Sequence, residues 1–267
     1  MMKIKTENNS FRRAFDGKNK SGKVAFMPFL VAGDPDYAGC LKMLKTVTRY
    51  ADMLEIGFPY SDPLADGPTI QAADERSLKA GMNTDKVFNL IRDLRSFCNK
   101  PITALVYANL VYRYGLDPFY KKCARTGING VLVPDVPIEE SIPFVNAANR
   151  HGVYPIFMLT QTTTDSRLKE ILKYARGYLY LVSVLGVTGS RNSLGNETFE
   201  FIERIKKITT LPVALGFGIS KKEQIDKATK AGINGVIVGS AIIKIIELNI
   251  KNPCLKVEKF IKELGVA

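Results

Sequence analysis

The sequence predicts an α/β protein of the (β/α)8, or TIM, barrel class, a single domain over residues 1–267 with a short N-terminal helical arm over residues 1–23. Three observations predict it. First, eight short apolar runs alternate with amphipathic stretches across about 240 residues, the span that eight strand–helix units occupy in such barrels. Second, the runs are rich in Val, Ile, Leu and Phe and mostly do not alternate with polar residues, as parallel strands buried on both faces require. Third, the segment GINGVLV at Gly127–Val133 returns as GINGVIV at Gly232–Val238, 105 residues later, in what would be strands four and eight. A doubly wound open sheet is the alternative that the same alternation allows.

The predicted strands are Val24–Val31, Met53–Ile56, Ile102–Tyr107, Gly130–Val133, Val153–Leu159, Tyr178–Val182, Pro212–Leu215 and Gly235–Val238. Between them the spacing predicts helices over Tyr37–Tyr50, Thr69–Ala80, Asp85–Phe97, Pro118–Arg125, Glu139–Arg150, Ser166–Arg176, Phe199–Thr209, Lys222–Ala231 and, at the tail, Cys254–Leu264. Thr84-Asp85 and Thr164-Asp165 read as N-caps, where a side-chain oxygen satisfies a free backbone N–H. The first 23 residues are polar and basic and are expected to lie outside the barrel.

Composition excludes several classes. Hydrophobic residues make up 46% and charged residues 24%, which disfavours disorder and low complexity. The single histidine, His151, excludes a multi-histidine metal site. Cys40, Cys98, Cys123 and Cys254 form no CxxC pair, so neither a zinc site nor a disulfide scaffold is expected. No apolar run approaches a membrane span and no apolar leader core is visible, so the expectation is a cytoplasmic protein without metal or membrane partner. The net charge of +12 comes from lysines spread along the helices rather than clustered with aromatics, so no nucleic-acid partner is expected.

Active groups in such barrels sit where strands end. Glu55 lies inside the second apolar run, where burial would raise its pKa and suit it to acid–base work; pairing with a buried cation is the structural alternative. Asp62 and Asp66 follow on a proline-rich loop, and each could instead cap the next helix or serve a turn. The loop Gly186–Gly195, with three glycines and small polar residues, could act as a lid or be a plain connection. After runs seven and eight come Gly216–Ser220 and Val238–Ala241, glycine-bearing turns at the two loops that frequently bind phosphate. These residues alone point to a barrel enzyme for a small phosphorylated substrate.

The run EIGFPYSDPLADGPTIQ at Glu55–Gln71 resembles the signature of the tryptophan synthase alpha subunit. Met27–Pro35, Val133–Glu140, Gly186–Gly189, Gly216–Ser220 and Val238–Ala241 agree with it in order, so the resemblance covers nearly the whole chain from about residue 10. It implies retro-aldol cleavage of indole-3-glycerol phosphate to indole and glyceraldehyde 3-phosphate, with no cofactor in this chain. It places the catalytic carboxylates at Glu55 and Asp66, and phosphate contacts at Gly189, Gly218, Gly239 and Ser240. Phe29, Tyr107 and Tyr180 match the indole pocket, Thr188 the lid, and Asp62 and Asp135 the face that docks a beta subunit. The implied assembly is an αββα heterotetramer in which the beta partner carries pyridoxal phosphate.

Two departures accompany the resemblance. Leu185 stands before Gly186 where the family more often has a smaller or polar residue, and the N-terminal arm is longer and more basic. Two other readings remain at this point: a docking module that activates a beta subunit with little turnover of its own, and another phosphate-binding barrel such as a sugar-phosphate isomerase.

Overall fold

The computed structural model describes residues 10–182, 196–216 and 218–266. Its strands are β1 Ala25–Val31, β2 Leu54–Gly57, β3 Ile102–Leu105, β4 Gly130–Leu132, β5 Tyr154–Leu159, β6 Leu179–Val182, β7 Val213–Gly216 and β8 Gly235–Val238. They close in sequence order into a parallel barrel, β8 pairing with β1. The eight-run pattern thus becomes one closed sheet, and the open-sheet alternative is set aside. The helices are α1 Ser10–Asn19, α2 Tyr37–Val47, α3 Pro68–Lys79, α4 Thr84–Arg95, α5 Ala108–Tyr114, α6 Leu116–Thr126, α7 Ile142–His151, α8 Asp165–Tyr174, α9 Asn196–Ile208, α10 Lys222–Lys230, α11 Ser240–Leu248 and α12 Cys254–Glu263.

Alternation along the strands splits the core in two. Met27, Phe29, Met53, Leu105, Leu132, Ile156, Tyr178, Tyr180 and Ile237 fill the barrel, while Leu30, Leu54, Ile56, Ala104, Val131, Leu181 and Val236 pack outward against the helices. Both faces being apolar, the strands show no polar period, which is why continuous runs marked them.

The repeated segments do the same work in the two half-barrels. Asn129 accepts from the Ile102 N–H and donates its own N–H to Ile102 O, each at 2.9 Å. Asn234 makes the same pair with Val213, again at 2.9 Å. Each asparagine therefore locks the entrance of one strand to the strand before it. Gly127 and Gly232 precede them at φ 85° and 78°, the left-handed region that ends a helix without a Cβ penalty.

Several expected elements differ. The described part of the arm, from Ser10, does not lie outside the barrel: α1 carries Phe11 and Phe15, 0% and 1% exposed, into its lower mouth. Their rings meet Tyr178 edge-on at 5.3 and 5.7 Å. The amides of Asn19 and Asn234 donate to Asn234 O and Asn19 Oδ1, fastening the end of α1 to the start of β8. The helix expected over Glu139–Arg150 is a 3-10 turn, Ile138–Glu140, followed by α7, because Pro143 suits a first helical turn and not an interior. Asn83 rather than Thr84 caps α4, accepting from Lys86 N at 3.0 Å, whereas Thr164 caps α8 as expected. Two helices, α5 and α11, follow their strands so closely that apolar residues continue into them and no start is visible.

Candidate active site

Glu55 stands in β2, in register with Phe29 of β1 and Thr103 of β3, and its side chain enters the barrel. It is 1% exposed, and neither carboxyl oxygen has a hydrogen-bond partner among the described residues. No buried arginine or lysine among them answers it, so the structural alternative of an ion pair falls away. Burial first, and the nearby Asp66 charge second, push its pKa up to about 8. It therefore holds a proton at neutral pH while facing open space.

That space is a cavity of about 280 Å³ at the C-terminal ends of the strands. Phe29, Leu105, Met158, Tyr180 and Ile237 give it apolar walls, and Glu55, Asp66, Gly218, Gly239 and Ser240 supply its polar points. Phe29 is wedged between Gly57 and Gly239, where an added Cβ would come within 2.8 and 2.9 Å of its ring. The two glycines thus seat an aromatic wall.

Asp66 sits at the end of the loop between β2 and α3. Tyr107, at the end of β3, donates its O–H to Asp66 Oδ2 at 2.6 Å and accepts the Ala65 N–H at 3.1 Å. Burial raises the Asp66 pKa, and this hydrogen bond pulls it back. Burial acts on both carboxyls, but they differ in partners: among the described residues Glu55 has none, whereas Asp66 is held by a donor. Carboxyls in such different surroundings can take different roles.

The β7–α10 turn and the start of α11 face the same cavity. Gly218 has φ +73°, which favours glycine. Gln224 braces this turn, accepting the Ser220 and Lys221 N–H groups at 2.8 and 3.0 Å and donating to Gly218 O at 3.1 Å. Gly239 caps α11 without a side-chain oxygen, leaving the first amides of that helix for a ligand.

The structure brings together Glu55, Asp66, Phe29, Tyr180, Gly218, Gly239 and Ser240. Tyr107 stands behind Asp66 rather than in the cavity wall, stacked on Tyr60 at 5.1 Å. Asp62 is exposed on the loop, its carboxylate accepting from Ser61. Asp135 accepts the Ala108 N–H at 3.0 and 3.2 Å, at the start of α5. Thr188, Gly189 and Leu185 lie outside the described residues. Sequence reasoning missed the wall residues Leu105, Met158 and Ile237; inward alternation from Thr103, Ile156 and Gly235 was the available signal.

A cavity of this kind, at the C-terminal ends of the strands with two carboxyls in it, defines a barrel enzyme. The profile of the tryptophan synthase alpha chain family matches residues 15–266. The chain is 47% identical to the tryptophan synthase alpha chain of Methanoregula boonei, over 88% of this chain and 89% of that one. It is 46% identical to that of Methanothermobacter thermautotrophicus, over 96% and 92%. Among solved structures, an alpha2beta2 tryptophan synthase complex from Pyrococcus furiosus superposes with a TM-score of 0.87 at 36% identity, covering 91% of this chain and 98% of that one. This chain belongs to the tryptophan synthase alpha chain family. No helix among the described residues is long and apolar enough to cross a membrane.

Proposed function

We propose that the chain cleaves indole-3-glycerol phosphate to indole and glyceraldehyde 3-phosphate, with Glu55 as the proton carrier and Asp66 as the anion. The observation that carries this reading is Glu55: a buried carboxyl facing the cavity, with no hydrogen-bond partner among the described residues and a pKa pushed up to about 8.

The bond between indole C3 and the side chain breaks only once C3 is sp³. The Glu55 proton goes to C3, placing positive charge on the ring. The resulting Glu55 carboxylate takes the proton of the side-chain hydroxyl, the aldehyde forms, and the C–C bonding electrons return to the ring. Glu55 ends protonated, so one proton is shuttled and none is consumed. Asp66, ionised, accepts the indole N–H and stabilises the ring charge. Phe29 and Tyr180 flank the indole, and Tyr107 supports Asp66. Backbone N–H groups around Gly218, Gly239 and Ser240 hold the phosphate, together with Gly189, and Thr188 belongs to the closing lid. These steps draw on side chains and backbone of this chain only; pyridoxal phosphate chemistry belongs to the beta partner, and the setting is the cytoplasm.

The loop carrying Asp62 and the Asp135 turn form the docking face for a beta subunit. Leu64, 93% exposed between Asp62 and Asp66, gives that face an apolar anchor. The test is indole release from indole-3-glycerol phosphate by the purified chain, alone and with its beta subunit. Slow release alone and a large rise with the partner is the expected outcome. No release in either case, despite a stable complex, would leave a docking module in place of a lyase.

A further inference from the structure

Asp74 lies in the middle of α3 and is 4% exposed, an unusual place for a carboxylate. Its Oδ2 has no hydrogen-bond partner among the described residues, and the Tyr60 backbone N–H faces its carboxyl from the β2–α3 loop, where it favours the charged form against burial. No cation among those residues compensates it. Arg76, two residues on, is committed to Asp34 through Nε at 2.7 Å and Nη2 at 2.9 Å, with Glu247 of α11 3.8 Å from its Nη1. The charged groups that act on Asp74 are Asp66 and Asp34, both acidic.

From Tyr60 the contacts run to the reaction centre. The Tyr60 ring stacks on Tyr107 at 5.1 Å with an interplanar angle of 26°. Tyr107 in turn donates to Asp66 Oδ2 at 2.6 Å. We propose that Asp74 is a positioning residue: its carboxyl holds the backbone of Tyr60, Tyr60 holds the ring of Tyr107, and Tyr107 fixes the carboxylate of Asp66. This rests on the reading of Asp66 as the anion that stabilises the indole ring.

The chemistry asks for a carboxyl without charge here. Burial and the Asp66 charge push the Asp74 pKa up to about 8, so at neutral pH it both faces the Tyr60 N–H and adds no negative charge beside Asp66. An ionised Asp74 would raise the pKa of Asp66 and weaken its ionised form. Asparagine reproduces the neutral group, with one acceptor and one donor in the same shape.

The test compares Asp74→Ala and Asp74→Asn in the full chain assembled with its beta subunit. Asp74→Ala is expected to lower kcat on the order of tenfold or more, as small misplacements do, with KM changed less. Loosened from Tyr107, Asp66 would rise in pKa, so the acid limb of the pH–rate profile should move to higher pH. Asp74→Asn should recover most of the lost kcat at pH 7 and return the limb to its place. Should Asp74→Ala fail to fold, Tyr60→Ala breaks the same chain of contacts with the carboxyl intact, and the same kcat loss and limb shift are expected. Unchanged kcat and profile in the alanine variants would overturn the proposal, as would an asparagine variant as poor as alanine. Glu55→Gln, run alongside, separates the two readings: its inactivity beside normal Asp74 variants removes only this inference, whereas an active Glu55→Gln removes the site assignment beneath it.

Discussion

The two mouths of this barrel are built from the same residue types and do opposite things. Below, Gly130, Gly177 and Gly235 leave room for aromatic rings: an added Cβ would meet Phe11 at 3.1 Å in the first two and Phe15 at 2.7 Å in the third. The rings that fill this room come from α1 of the same chain, so the lower mouth is shut. Above, Gly57 and Gly239 seat Phe29, and Gly216 abuts the Tyr180 hydroxyl. Here none of the described residues fills the middle, and a cavity of about 280 Å³ remains. Glycine at a strand end thus marks close approach, and the approaching group decides between stability and function. The same contrast explains why Glu55 is buried, at 1% exposure. With the floor sealed by Phe11, Phe15 and Tyr178, the carboxyl meets solvent only through the upper mouth.

Glu55→Gln strikes hardest at the open mouth. Lyase activity should fall by roughly two to four orders of magnitude, the range that a positioned acid–base group supplies. The fold should survive and gain stability at alkaline pH. The sign follows from the shift: the folded carboxyl titrates at about 8 against an ordinary 4.5. Between those values the unfolded chain releases a proton that the folded chain keeps, so wild-type stability falls as pH rises through that window. The amide does not titrate and removes this fall, while Asp74, raised from 3.8 to about 8, retains a parallel one. Thermal unfolding across roughly pH 4–9, a range that brackets both shifts, checks it. A variant that melts earlier than wild type above neutral pH would make Glu55 a structural residue.

Phe11→Ala addresses the shut mouth. Emptying a site this well filled costs about 3–5 kcal/mol for a Phe→Ala change. Denaturant unfolding should show that loss, with indole release retained at temperatures where the variant is folded. If water then reaches Glu55 from below, its pKa would fall towards the ordinary value, and the alkaline limb of the pH–rate profile would move to lower pH. Equal stability of wild type and variant would contradict the role assigned to α1.

How much of this was legible in the sequence depends on where each signal sits. Strands buried on both faces are unbroken apolar runs, so all eight were readable. Glu55 stood out as a carboxylate inside such a run. The plug had its signal in the i,i+4 pair Phe11 and Phe15, masked by Arg12, Arg13 and the lysines around it. α11 was hidden because only Gly239 separates it from β8, so its isoleucines read on from the strand although Ser240, Lys244 and Glu247 mark a polar face at helical spacing. Asp74 was not legible at all. Its helix carries acidic residues at Asp74 and Glu75, and which of them is buried is decided by the loop that folds back from β2. Tyr107 matched an indole-pocket position, but its working contact is with a residue 41 positions away.

The mildest change is Tyr107→Phe, which keeps the ring on Tyr60 and removes one O–H. Among the described residues, that O–H is the group that pulls the Asp66 pKa down against burial. Without it Asp66 rises further, and the ionised form that stabilises the indole ring is lost at a higher pH than in wild type. The acid limb of the pH–rate profile should shift upward. A hydrogen bond to a charged group is worth about 1.5–3 kcal/mol, so the limb should move by about one to two pH units, with turnover well above that limb nearly kept. The Ala65 N–H also loses its acceptor, so part of any loss at high pH belongs to the loop rather than to Asp66. A uniform drop at every pH would assign Tyr107 to that loop alone. An unmoved limb with full activity would remove it from the reaction and leave Asp66 to be held ionised by the substrate's own N–H.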